Sequence, residues 1–210
     1  MTIGIVVTFK DGALLVADGR QVRPLVPDAP PLDDVNKIFQ VHPTMAAVTF
    51  GVQQASESAL RNLKVSLTQM NNFNPHDVGL IVENSVTFGW STFLSRLSPD
   101  VDLGHPALKV GLVVGGLADG VPFVAGSLKS VSGGNSVIDT GAGKFIVLGG
   151  EDQNARADFD SRSKFNKTVN DLLNSAREAI QLAAFSNKDI GGIVHYAILQ
   201  RSGQYTTGHF

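Results

Sequence analysis

The 210-residue sequence contains no cysteine, which excludes disulfides and thiolate metal sites and is compatible with a reducing cytosol. Charge is scarce: Asp, Glu, Lys and Arg make up 17% of the chain and the net charge is −2. That balance gives no electrostatic reason to expect nucleic acid or an anionic membrane as partner. A surface short of charge also fits a protein that covers much of itself in an oligomer. No run of about 18 apolar residues is present to span a bilayer. No basic segment followed by an apolar stretch opens the chain, so no signal peptide is expected. The histidines, His42, His76, His105, His195 and His209, show no metal-ligand spacing. Neither Gly115-Gly116 nor Gly133-Gly134 has the strand-to-helix context of a phosphate loop. These absences predict a soluble, cytoplasmic protein. Apolar residues make up 43% of the chain, enough for a sizeable core in one domain over residues 1–210.

What is present is a succession of hairpins and amphipathic helices. Ile3 to Phe9 and Ala13 to Ala17 are apolar runs joined at Lys10-Asp11-Gly12, an Asp-Gly hairpin signal. Four prolines between Arg23 and Asp34 mark an irregular loop. Asn36 to Val41 and Met45 to Phe50 form a second hairpin. Ala59, Leu60, Leu63, Leu67 and Met70 then recur at helical spacing. Asn74-Pro75 starts a second helix, with Asn as its cap and Pro in the first turn. A third hairpin turns at Ala118-Asp119-Gly120, Ser130 to Gly143 reads as loop or irregular hairpin, and Lys144 to Leu148 as a strand. A third helix carries Phe165, Val169, Leu172, Leu173, Ala176, Ile180 and Ala183 on one face, and a final hairpin follows from Gly192. Hairpins grouped around pairs of helices predict an α+β fold: two antiparallel sheets stacked face to face and covered by helices.

The chemistry begins at Thr2. Removal of Met1, favoured by a small second residue, leaves a hydroxyl and a free α-amine on one residue. An α-amine has an ordinary pKa of about 7.7–8.0, so it can take the hydroxyl proton near neutrality and activate a weak nucleophile. Such a centre needs a cation to stabilise the alkoxide and lower the amine's pKa, a carboxylate to hold that cation, and a backbone N–H for the oxyanion. Lys37, Asp18 and Gly51 are the candidates in those roles. Taken singly, Asp18 reads as a turn cap, Arg20 as its surface partner, Lys37 as a solvated strand lysine and Gly51 as a strand-to-helix turn.

Together these residues resemble the proteasome β-type subunit family, in the form of a bacterial homologue with an N-terminal threonine nucleophile. Lys10-Asp11-Gly12-Ala13-Leu14-Leu15-Val16-Ala17-Asp18-Gly19-Arg20 matches the family's first hairpin without a gap, counted from Thr2. Asn36-Lys37-Ile38 matches the strand of the family lysine, Gly51 follows at the oxyanion spacing, and Gly191-Gly192-Ile193-Val194 resembles a late family strand. The resemblance implies the four-layer αββα sandwich of N-terminal nucleophile hydrolases and a threonine peptidase that cleaves peptides or unfolded protein without a metal or cofactor. It implies a pocket of Gln21, Val35, Phe39, Thr49 and Gln53, uncharged and suited to apolar side chains. It further implies a homo-oligomer of two stacked rings, hexameric or, as favoured, heptameric, with the first helix pair between rings, and it allows an ATPase unfoldase as partner.

The chain departs from the family in its supporting residues. Gly150 stands where the family has a serine, and Asn187-Lys188-Asp189-Ile190 replaces its Asp-x-x-Ser, with Asp189 two positions out of register. Those departures predict slow turnover or a narrow substrate range. They also keep open a non-catalytic ring-forming scaffold, or a small-molecule amidase of the same fold.

Overall fold

Strands β1 (Gly4–Phe9) and β2 (Gly12–Asp18) are buried on both faces, as their nearly unbroken apolar sequences require. They pair antiparallel, Val6 opposite Leu15, and form the middle of a sheet ordered β10-β9-β2-β1-β8. Its other strands are β8 (Phe145–Leu148), β9 (Val194–Gln200) and β10 (Tyr205–His209). A second sheet, β3-β4-β5-β6-β7, comprises β3 (Ile38–His42), β4 (Met45–Gly51), β5 (Lys109–Ala118), β6 (Val121–Ser130) and β7 (Gly133–Thr140). All of these pairings are antiparallel. The helices are α1 (Gln53–Thr68), α2 (Pro75–Leu94), α3 (Gln153–Ser163) and α4 (Val169–Ser186). The computed structural model describes residues 2–22, 29–70, 73–98, 101–105, 108–149, 153–164 and 168–210. Among these the fold is α+β, two antiparallel sheets with four helices.

Side chains alternate between two cores with the period of two that a strand imposes. Val6, Ala13, Leu15 and Ala17 point from the first sheet toward Ala46, Val48, Val113 and Val124 of the second. Their neighbours Ile5, Val7, Leu14 and Val16 point the other way, onto Phe159 of α3 and Ala176 and Ile180 of α4. On the second sheet Met45, Ala47, Val110 and Leu112 face Leu63, Val82 and Trp90 of α1 and α2. Small residues set the spacing between the sheets: a Cβ at Gly115 would lie 2.4 Å from Val6 Cγ1.

Local signals fix the ends of the elements. Asn74 Oδ1 accepts from Asp77 N–H at 2.9 Å and Pro75 opens α2, the cap and first-turn proline that the sequence predicts. A capping box of Thr168 and Asp171 starts α4. Asp119 (φ 50) and Gly120 (φ 74) supply the positive φ values of a two-residue hairpin turn. Phe165, expected in the third helix, lies outside the described residues, as do Met1 and residues 23–28 of the proline-rich loop.

Two elements differ from the sequence expectation. The stretch read as loop or irregular hairpin contains β7, which pairs with β6 from Phe123↔Thr140 to Ser130↔Gly133. Helix α3 went unread because its sequence, QNARADFDSRS, buries only Ala155 and Phe159, one i,i+4 pair without a longer stripe. Phe159 is fully buried and meets Phe145 edge-on at 5.2 Å between ring centres. Phe159→Ala removes the main anchor of α3 and should cost about 3–5 kcal/mol of stability, read by urea titration. A loss below about 1 kcal/mol would show that α3 is held by something else.

Candidate active site

Asp18, the last residue of β2, is fully buried, and so is most of Lys37, which directly precedes β3. A solvated lysine is the ordinary expectation at such a place; this one is 6% exposed. Lys37 Nζ donates to Asp18 Oδ1 at 2.9 Å and to the Arg20 carbonyl at 2.6 Å. The same Asp18 Oδ1 accepts the Ile3 N–H at 2.9 Å. One oxygen atom therefore joins the backbone next to Thr2 to the lysine ammonium. The other carboxylate oxygen accepts Gly191 N–H at 3.2 Å. Burial pushes the Asp18 carboxyl above its usual range, opposed by Lys37 and by the N–H groups of Ile3 and Gly191. Burial likewise pushes the Lys37 ammonium below its usual value, opposed by Asp18. Desolvation leads in both, and the pair holds its charges by mutual contact.

Thr2 and Lys37 line one cleft of about 130 Å³, with Gly51 and all five of the expected pocket residues, Gln21, Val35, Phe39, Thr49 and Gln53. Gly51 ends β4 with φ +91, and a Cβ there would come within 1.9 Å of the Lys109 carbonyl oxygen. Backbone and packing both demand glycine at this strand-to-helix junction. Two of the three Lys37 N–H bonds go to Asp18 and the Arg20 carbonyl; among the described residues the third has no acceptor, and Lys37 lines the cleft.

Arg20 does not line the cleft; it braces the loop that does. Its guanidinium grips Asp33 through Nε (2.6 Å) and Nη2 (3.1 Å), and Nη1 donates to the Lys188 carbonyl at 2.8 Å. Asp33 holds the strand end in turn, its carbonyl accepting Ile193 N–H at 2.8 Å. Beside it, Asp34 Oδ1 lies 3.1 Å from His195 Nε2. Asp189 is not brought to the cleft. Its charge acts on Arg20, and the loop reaches Asp18 through the Gly191 backbone instead. Gly150 lies outside the described residues. Its neighbour Gly149, at φ +105, packs so closely on Thr2 that a Cβ would come within 1.6 Å of the threonine carbonyl oxygen.

The sequence reading missed other cleft residues: Asn36, Phe50, Ser56, Glu57 and Leu60. Ser56 Oγ donates to the Phe50 carbonyl at 2.9 Å. Gln21 Nε2 donates to Gln53 Oε1 at 2.8 Å, and Gln53 Nε2 to Glu57 Oε1 at 2.7 Å. Glu57 thus adds a carboxylate to a pocket expected to carry none. Its position four residues after Gln53, on the same face of α1, was the available signal.

The ion pair yields a direct test. Lys37→Met or Asp18→Asn alone strands a buried polar partner and should cost about 3–5 kcal/mol, while the double substitution should cost less than the sum. Urea titration of the three variants reads this out. Strictly additive losses would mean that the two groups do not interact.

The sequence matches no protein-family model and no curated protein. Solved structures do match. One is the helical assembly of the Anbu complex from Pseudomonas aeruginosa, 17% identical, with a TM-score of 0.73 over 99% of this chain and 85% of that one. Another is the Anbu (Gly-1) mutant from Hyphomicrobium sp. strain MC1, 14% identical, with a TM-score of 0.73 over 100% of this chain and 87% of that one. The resemblance to proteasome β-type subunits is corrected by these comparisons: its spaced motifs bring no family match, and these structural counterparts are Anbu proteins. At such identities the likeness is one of fold.

Proposed function

We propose that this chain is an amide hydrolase whose nucleophile is Thr2, freed by removal of Met1. The observation that carries the reading is the shared Asp18 oxygen, which ties the backbone beside Thr2 to the Lys37 ammonium at the wall of one cleft. In this reading the Thr2 α-amine takes the proton from Oγ as Oγ bonds to the substrate carbonyl carbon. Lys37 stabilises the alkoxide and the Gly51 N–H faces the oxyanion. The amine passes its proton to the leaving nitrogen as the C–N bond breaks. Water then attacks the acyl-threonine, giving its proton to the same amine, and the acid departs as Oγ–H is restored.

The fold we infer over residues 1–210 is one domain, the four-layer αββα sandwich of N-terminal nucleophile hydrolases. An apolar core between the sheets and one outside each sheet support it. Peptides or unfolded protein are the substrate class, with Glu57 at the pocket mouth accommodating a basic end on an otherwise apolar side chain. A neighbour described as a helical assembly supports association of copies into a homo-oligomer, as a helix or as closed rings. The outer faces of α1 and α2, where Val65 and Phe88 are half exposed, are the contact we favour. A 130 Å³ cleft is small against the ~300–1,000 Å³ of ordinary ligand pockets, which favours a small-molecule amidase as the second reading.

Intact-mass measurement combined with turnover tests the proposal. The mature protein should lack Met1, and Thr2→Ala should lower hydrolysis of fluorogenic peptides by about 10⁴-fold or more while Thr2→Ser retains activity. Equal cleavage by wild type and Thr2→Ala would remove Thr2 as nucleophile. A retained Met1 with no turnover would leave a scaffold.

A further inference from the structure

A second cavity is larger than the cleft that holds Thr2. It measures about 650 Å³ and begins where the cleft ends, with Phe50 in the wall of both and Gly149, packed on the Thr2 carbonyl, in its lining. From there it runs between the edges of the two sheets. Ile146, Val147 and Leu148 of β8 form one side, and Asn135 and Val137 of β7 face them. Strand β8 pairs only with β1, and β7 only with β6, among the described residues. An edge strand in this position presents unpaired N–H and C=O groups to an incoming extended chain.

The walls suit such a chain. Val131 (51% exposed), Val137 (47%) and Leu103 (43%) are among the most exposed large apolar side chains of the protein, and all three line this cavity. Grouped apolar exposure of this kind marks a binding surface. The ionic lining is of one sign, Lys109 and Arg156 with no carboxylate among the described lining residues.

We propose that this cavity receives the leaving-group side of a peptide substrate, laid as an added strand along β8 from Thr2 outward. Its side chains would rest on Val137, Val131 and Leu103, and a carboxylate on that side, terminal or acidic, would meet Lys109 or Arg156. The inference rests on the Thr2 reading for the position of the scissile bond. It explains how a cleft with room for one side chain could serve a polypeptide.

Two substrates with the same acyl half test it, a peptidyl aminocoumarin with nothing beyond the scissile bond and a quenched peptide continuing for several residues to an acidic end. The full-length protein should favour the longer substrate through KM by about tenfold. Val137→Lys, Leu103→Lys and Arg156→Glu should each lower that preference about fivefold. Binding of the longer peptide to Thr2→Ala protein, followed by fluorescence anisotropy, should weaken to the same extent when Val137→Lys is added. Hydrolysis with an unaltered preference in all three variants overturns the cavity proposal and leaves the Thr2 reading standing. Binding that depends on Val137 without any hydrolysis overturns the Thr2 reading and leaves the cavity a peptide site. Dissociation of an oligomer by Val137→Lys, with peptide affinity unchanged, would assign the edge to a second copy of the chain and overturn the proposal.

Discussion

A buried carboxylate surrounded by donors is the constraint on which the rest of this structure depends. Asp18 accepts from the backbone of Ile3, from Lys37 and from the backbone of Gly191, which lie far apart in sequence. A charge removed from water is costly unless it is paired and hydrogen-bonded, so each donor is held where it is by the cost of letting go. The result is a fixed meeting of the start of β1, the approach to β3 and the loop before β9. Lys37, anchored on Asp18 and on the Arg20 carbonyl, lines the cleft.

The two sheets serve this meeting point. Their facing surfaces are rich in alanine and valine, with Gly115 packed on Val6, so they approach closely and hold β2 and β4 in fixed relation. Asp18 at the end of β2 and Gly51 at the end of β4 therefore arrive at the same rim. Arg20 and Asp33 brace the loop between them, exposed enough that their value lies in geometry more than in stability. The cleft, lined by Thr2, α1 and the approach to β3, and the larger cavity, lined by the edges of β7 and β8, share Phe50 as a wall.

Much of this arrangement could be read from residue patterns alone. Apolar alternation and the Asp-Gly turns placed the hairpins, and spacing from Thr2 singled out Asp18, Lys37 and Gly51, which do share one region of the fold. The parts that were unreadable depend on contacts in space. Nothing local distinguishes Lys37 from a solvated strand lysine; its burial comes from a carboxylate 19 positions away. The approach of Gly191 to Asp18 spans 173 positions, and Asp189, the more tempting residue by chemistry, stays with Arg20. Strand β7 is exposed along most of its length and so lacks the apolar alternation that would reveal it. The motif resemblance carried the sheet-and-helix pattern but not the family, because spacing within a shared fold persists at identities where family membership is not shown.

The proposed reaction depends on a free threonine amine and hydroxyl held beside the Lys37 ammonium. Covalent labelling with a peptide epoxyketone, which needs both groups to close its ring, followed by locating the adduct, tests this most directly. A single adduct on Thr2 is expected, lost in a Lys37→Met protein that still folds. An adduct on another residue, or one on Thr2 that forms as fast without Lys37, would contradict the Thr2–Lys37 centre.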